Sequence, residues 1–412
     1  MKMLNAMVGQ TIRRGSLTVI DAEGGRRRHG DGGEPVAAMR IGDPAVYRRI
    51  VLNPELAVGE AYMDGLLTFE EGSVRDLLQL FHRNAVNLRA RPMRRAAAEA
   101  MRRMRRFQQS NPVGKAREHV AHHYDLSNDF YRRFLDKDLN YSCAYFEHDG
   151  QSLEDAQRAK LRHIAAKLRI EPGMRVLDIG SGWGAMALYL AKHLGARVVG
   201  VTLSKEQQAL ATMRARERGL EGKVEFRLQD YREVEGPFDR IVSVGMFEHV
   251  GVPHYTEFFE KLSDLLAGDG LALLHAIGRK GPPDVTGPWI RKYIFPGGYS
   301  PALSETFAAI ERSGLWASDI EILRLHYADT LREWERRFQA NRADIAAMFD
   351  ERFCRMWEFY LSTSEFAFRV GGHMVFQIQL AHERDAAPIR RDYIQQAETA
   401  LKEVEADRNV SA

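Results

Sequence analysis

Val176-Leu-Asp-Ile-Gly-Ser-Gly-Trp-Gly184 is the stretch from which the fold can be read. Residues 176–179 are apolar apart from Asp178 and read as the end of a buried strand. Gly180, Gly182 and Gly184 make a tight turn, and a helical pattern over 185–193 follows at once. Glycines in such a turn let the backbone take positive φ and let a ligand approach the main chain closely. The spacing is not the dinucleotide fingerprint G-x-G-x-x-G, because the third glycine comes one residue early. Asp178, just before the first glycine, suits S-adenosylmethionine (SAM) better, since a carboxylate there can hold the ammonium group of that cofactor.

From Arg175 onward, strand and helix patterns alternate, which predicts a mostly parallel sheet with helices on both faces. Further strands are expected at 197–201, 224–228, 238–244, 270–275, 320–325 and 370–380, making seven. Ser204 is placed to cap the helix after the second strand. Thr202 stands where a nucleotide-binding fold usually has an acidic residue for the ribose, which argues against NAD and also against the commonest methyltransferases. Asp230-Tyr231 follows the third strand and suits an adenine amino group and its π face. Glu248 and His275 close the fourth and fifth strands, so both should face one crevice at the carboxyl ends of the sheet.

Composition bounds the remaining choices. A chain of 412 residues exceeds one typical domain, so a main domain and a smaller one are expected. Apolar content of 45% with 28% charged residues is that of a soluble globular protein. No apolar run approaches the ~20 residues of a membrane span, and the first residues show no secretion signal. Cys143 and Cys354 are the sole cysteines, which excludes a disulfide framework and a cysteine-built zinc site and points to the cytoplasm. A net charge of +3 is too small to argue for nucleic acid.

The flanks carry weaker signals. Residues 1–88 read as a small α+β domain, with a polar turn region at 24–33, a short helix within 43–56 and a closing helix at 74–88. The 89–106 stretch holds eight arginines against Glu99, with Met93, Ala97, Met101 and Met104 at helical steps. It suits an anionic membrane surface or a solvated linker helix; RNA lacks the aromatic platform it would need. His122 and His123 beside Asp125 have neither the spacing nor the partners of a metal site. Residues 277–300 are rich in Gly, Pro and aromatics and read as a lid over an apolar substrate or a loop packed on its own core. A helix over 330–347, an aromatic one over 353–368 and a charged segment over 385–412, helical and then frayed, with 391–412 as the tail, complete the chain.

Taken in order, Tyr124-Asp-Leu-Ser-Asn-Asp-Phe-Tyr131 after His123, Tyr141-Ser-Cys-Ala-Tyr-Phe146, the 178–184 turn, Thr202-Leu-Ser-Lys205, Met246-Phe-Glu-His-Val-Gly251, Leu274-His-Ala-Ile277, Ile294-Phe-Pro-Gly-Gly298 and His326-Tyr327 resemble the cyclopropane-fatty-acyl-phospholipid synthases, relatives of the mycolic acid methyltransferases. The resemblance covers nearly the whole chain and includes Gly59-Glu-Ala-Tyr-Met-Asp-Gly65 of the smaller domain. It implies a Rossmann-like class I SAM methyltransferase domain over 116–390 with its lid at 277–300. Around that domain it implies an N-terminal domain at 1–88 with a lipid or dimer role, a basic linker at 89–115 and the tail at 391–412. It further implies a methyl transfer from SAM to a cis double bond of a phospholipid acyl chain. The resulting carbocation would close to a cyclopropane when bound bicarbonate removes a proton. The resemblance places the bicarbonate on Cys143, Glu248, His275, the backbone of Ile277 and Tyr327, with Glu248 orienting His275 or Tyr327. It places SAM on Tyr141, Ser142, Asp178, Gly180, Gly182, Gly184, Thr202, Leu203, Gln207 and Tyr231. A homodimer working at the inner membrane face, without nucleic acid or metal, is implied as well. A related enzyme making a methyl-branched chain, or methylating a small molecule, is the alternative.

Overall fold

A computed structural model describes residues 1–84 and 126–410; the basic 89–106 stretch and His122, His123 and Asp125 lie outside the described residues. The chain forms two compact units. One takes in the described part of 1–107 with 284–296 and 331–371, the other the described part of 108–283 with 297–330 and 372–412.

The first unit begins with α1 (Lys2–Thr11), β1 (Ser16–Ile20), β2 (Arg26–Gly30) and β3 (Val36–Ile41). Then come α2 (Pro44–Leu52), α3 (Pro54–Met63), β4 (Leu67–Glu71) and α4 (Val74–Arg83). The four strands form one sheet in the order β2-β1-β3-β4, with β1 and β3 parallel. The polar stretch expected to be a turn contains β2, whose three arginines are exposed at the sheet edge. Edge strands tolerate charge, so the composition concealed it. The single helix expected in 43–56 is two, because Pro54 ends one and starts the next as its first residue.

The second unit carries the long sheet. After α5 (Asn128–Arg132) and α6 (Leu153–Leu168) come β5 (Arg175–Ile179), α7 (Ala185–Tyr189) and β6 (Arg197–Thr202). The chain continues through α8 (Lys205–Glu217), β7 (Val224–Leu228), β8 (Phe238–Val244), α9 (Tyr255–Leu265) and β9 (Leu266–Arg279). Past α10 (Pro288–Tyr293), which belongs to the first unit, lie α11 (Leu303–Ser313) and β10 (Trp316–Leu323). The last elements are α12 (His326–Ala340), α13 (Arg342–Met348), α14 (Glu351–Arg369), β11 (His373–Ala381) and α15 (Asp392–Val410); of these, α12 from Leu331 on, α13 and α14 belong to the first unit. The sheet order is β10-β11-β9-β8-β5-β6-β7. Pairs among β5 to β9 are parallel, and β11 runs antiparallel between β9 and β10. This is the expected seven-stranded, mostly parallel sheet.

Central strands such as β5 are apolar in runs, because both of their faces are covered. Leu161, Ile164, Leu188 and Ala211 belong to one core cluster, while Phe258, Phe259, Leu262 and Ile310 belong to another. In α9, Tyr255, Phe258, Phe259, Leu262 and Leu265 are buried at three- and four-residue steps, the spacing of one helix face.

Two segments outside the sheet have definite partners within their own units. The charged tail is helix α15, with Ile394 and Leu401 buried and Glu405 bonded to Arg162 at 2.7 Å and to the Tyr189 hydroxyl at 2.6 Å. Its two apolar anchors are seven residues apart, two turns along one helix face. Helix α10, inside the stretch read as a lid, is packed within the first unit. Trp289 is buried, lies 4.7 Å from the Phe359 ring and donates from its indole nitrogen to Met63. A Cβ on Gly59 would stand 2.5 Å from that indole, so only glycine fits there. Glu60 accepts from Lys292 at 2.7 Å, Tyr293 at 2.9 Å and Arg49 at 2.6 Å. The 59–65 motif is therefore the seat of α10.

Candidate active site

The turn after β5 opens the site. Gly180 has φ +80°, and a Cβ there would stand 2.9 Å from Met246, so the turn needs glycine on both counts. Ser204 caps α8 as expected, its hydroxyl accepting from the Gln207 amide. Thr202, at the end of β6, donates to the Gln207 side chain at 2.9 Å. Tyr141, Ser142, Asp178, Gly180, Gly182, Thr202, Leu203, Gln207 and Tyr231 line one cavity of about 170 Å³. A water needs only about 10–15 Å³, so the cavity is of ligand size. Gly184 does not line it. A Cβ at that position would stand 2.5 Å from the Phe226 ring, so this glycine serves packing beneath the turn.

Asp178 is buried, and its Oδ2 has no hydrogen-bond partner among the described residues. Burial pushes its carboxyl up to about 7, with the charge of Lys160 acting in the opposite direction. Asp230 is committed to Arg232 through bonds of 2.9 and 2.7 Å. Its acidity is thus held within the turn beside the Tyr231 ring.

A second cluster lies at the ends of β8 and β9. Glu248 sits on a single 3₁₀ turn after β8, buried, and its Oε1 accepts the Ile277 N–H at 2.5 Å. Its Oε2 has no partner among the described residues, and burial pushes this carboxyl up to about 7. His275, two residues before Ile277 on β9, is buried and meets Gln377 of β11 at 3.1 Å through Nδ1. Burial, with the charges of Lys160 and Lys167, holds its pKa well below the ordinary value. Cys143 is buried too, which raises its pKa and keeps it a thiol. The next residue, Ala144, donates its N–H to Thr330 at 3.0 Å, and Phe146 donates to His326 at 3.0 Å. These bonds tie the 143–146 segment to the start of α12, which carries Tyr327.

Two contacts fix the local geometry. The Ile277 N–H is engaged by Glu248, and the side chain holding His275 is Gln377. A carboxylate one turn beyond β8 reaches the backbone of the adjacent strand end, whereas β11 lies directly beside β9.

A family model described as mycolic acid cyclopropane synthetase matches residues 112–378. The chain belongs to this family. It is 38% identical over 348 residues to the cyclopropane-fatty-acyl-phospholipid synthase of Escherichia coli strain K12, covering 84% of this chain and 88% of that one. It is 40% identical over 282 residues to tuberculostearic acid methyltransferase UfaA1 of Mycobacterium tuberculosis, covering 65% and 66%. Mycolic acid cyclopropane synthase CmaA1, solved in complex with SAH and CTAB, matches with a TM-score of 0.61 at 34% identity, covering 66% of this chain and 99% of that one.

As a member of this family the chain is a SAM-dependent methyltransferase of the class I fold. The cavity fits SAM on its own chemistry. A buried carboxylate oxygen with a free acceptor position suits an ammonium group, and the glycine turn admits a ligand against the main chain.

The sequence reading missed Lys160. Its ammonium is buried, lines the cavity and donates to Asn140 and Ser142, each at 2.9 Å. Burial lowers its pKa to about 8, against the charge of Asp136. Its charge acts on Cys143, Asp178 and His275 alike. On α6 the polar residues Gln157, Lys160, His163 and Lys167 are buried along with the apolar face. A polar helix face reads as solvated until the neighbouring strands are known.

Proposed function

We propose that this chain transfers the methyl carbon of SAM to a cis double bond in the acyl chain of a membrane phospholipid, closing a cyclopropane ring, with bound bicarbonate as base. The observation that carries this reading is Glu248. It is a buried carboxyl at the strand ends, with one oxygen on a backbone N–H and the other without a partner among the described residues. Burial pushes this carboxyl up to about 7, so near neutrality Oε2 can carry a proton and donate to a small anion.

In the proposed reaction the alkene π pair takes the methyl carbon, the sulfur keeps its bonding pair, and loss of one proton to the base closes the ring. The chain's own residues bind and orient. Asp178 holds the ammonium end of the cofactor, and the Thr202–Gln207 pair and Tyr231 hold its nucleoside end. Cys143, a thiol at neutrality, serves as a weak donor and takes no covalent part. His275 stays neutral and donates to the anion, Tyr327 completes the anion's shell, and Lys160 adds a positive charge at the cavity wall. Such fixed donors in a dry site stabilise charge without reorganising.

A second reading is favoured by the 40% identity to UfaA1, which is named a tuberculostearic acid methyltransferase and not a cyclopropane synthase. In that reading the product is a methyl-branched chain. Purified protein incubated with SAM and vesicles of cis-monounsaturated phospholipid separates the two. A ring adds one CH2 to the fatty acid and depends on bicarbonate, while a saturated branch carries two further hydrogens. Unchanged fatty acids with SAM still bound would overturn both. We further propose that the chain acts as a homodimer at the inner face of the membrane.

A further inference from the structure

Behind His275 runs a buried polar chain that the proposed reaction does not itself use. Lys167 donates from Nζ to the Gln377 Oε1 at 2.7 Å and to Glu321 at 2.5 Å. Gln377 then meets the His275 Nδ1 through its Nε2 at 3.1 Å. Glu321 in turn bonds His163 at 2.9 Å, and His163 bonds Glu398 of α15 at 2.6 Å. Lys167, Gln377 and His275 are all buried.

The order of donors along this chain is forced. An ammonium has three donors and no acceptor, so the amide atom facing Lys167 is the oxygen. The other amide atom is therefore the NH2, which can only donate. It donates to the His275 Nδ1, which must be the unprotonated nitrogen. A neutral imidazole carries one proton, and here it is left on Nε2. Among the described residues, Nε2 has no hydrogen-bond partner.

We propose that Gln377, aligned by Lys167, is a positioning residue that fixes His275 as the neutral Nε2–H tautomer, so that the ring presents a donor and not a proton acceptor to the site. This assigns His275 to holding the anion and removes it as the base. The consequence for the anion rests on the function proposed above; the tautomer does not.

The test replaces Gln377 with Glu. The new carboxylate pairs with Lys167 and can only accept, so Nδ1 must become the donor and Nε2 the lone pair. Full-length protein labelled with 15N-histidine is compared by two-bond 1H–15N correlation spectra, with the His275 signals assigned by their loss in His275→Gln. In the native chain an unprotonated Nδ1 and a protonated Nε2 are expected, and in Gln377→Glu the reverse. Losing a hydrogen bond to a charged group should raise the bicarbonate needed for half-maximal activity about 10- to 100-fold. SAM affinity should stay within about twofold.

A protonated Nδ1 in the native chain, or an imidazolium at pH 7, overturns the proposal. So does an unchanged tautomer in a folded Gln377→Glu protein. If that variant does not fold, the native spectrum alone decides. Native protein with the expected tautomer but no bicarbonate dependence would leave Gln377 in this role and sink the anion reading instead.

Discussion

Asp178 and Glu248 are both buried carboxyls at strand ends, both pushed up to about 7, yet their surroundings differ. Asp178 has the charge of Lys160 acting on it, while Glu248 has backbone N–H groups alone. Beside a cation, a carboxyl is suited to ionise and take a cationic ligand. With no cation near it, burial is opposed only by N–H bonds, and a proton on the second oxygen can face an anion. The same burial thus prepares two opposite partners within one unit, and the difference lies in a single lysine.

The comparison breaks first at Glu248. Glu248→Gln keeps the size and the acceptor toward Ile277 but fixes a permanent NH2 where the carboxyl can exchange its proton. Turnover should fall at least about 100-fold, the scale of a lost positioned acid or base, with SAM affinity nearly unchanged. Equal loss of SAM binding, measured by calorimetry, would make Glu248 a structural residue. The next largest effect is expected at Lys160. Lys160→Met removes the cation that opposes the rise of Asp178, whose pKa then climbs further. SAM affinity at pH 7 should drop about tenfold and recover as the pH is raised toward about 9. A loss independent of pH would mean that Lys160 acts through Asn140 and Ser142.

Stability gives a third contrast. Burial in the folded chain pushes the Glu248 carboxyl from its ordinary value of 4.5 up to about 7. Between these values the folded state alone holds the proton, so its contribution is complete below 4.5 and is lost as pH rises through 7. The loss amounts to roughly 3 kcal/mol. Glu248→Gln should therefore be the more stable protein at pH 8 and lose part of the slope between pH 5 and 8. Urea midpoints at the two pH values check this, and parallel slopes for native and variant protein would sink it.

What could be read beforehand follows from what a residue type can mean by itself. The 178–184 turn was legible, because glycines between a strand and a helix answer a backbone need that few other arrangements have. Gly184 shows the limit. Glycine marks a close approach, but not whether ligand or side chain approaches, and here it is the Phe226 ring. Lys160, Lys167 and His163 were illegible for a different reason. They lie on what looks like the wet side of α6, and β10, β11, α15 and the 140–142 segment make that side an interior. Trp289 and Gly59 are 230 positions apart, so no local pattern could join them.

Ser204 is the smallest test and the one nearest the sequence. Its hydroxyl accepts the Gln207 N–H at 3.3 Å, the bond its position as N-cap predicts. Ser204→Ala should cost about 1 kcal/mol of unfolding free energy, the usual worth of such a cap. The Gln207 side chain is held independently by Thr202 at 2.9 Å, so the wall of the cavity should stay in place. SAM affinity should then change by less than about twofold while the urea midpoint falls. A larger fall in affinity would show that the cap positions Gln207 for the cofactor. In that case a residue read as local helix chemistry would belong to the site, and the division between Asp178's pocket and its supporting frame would have to be redrawn.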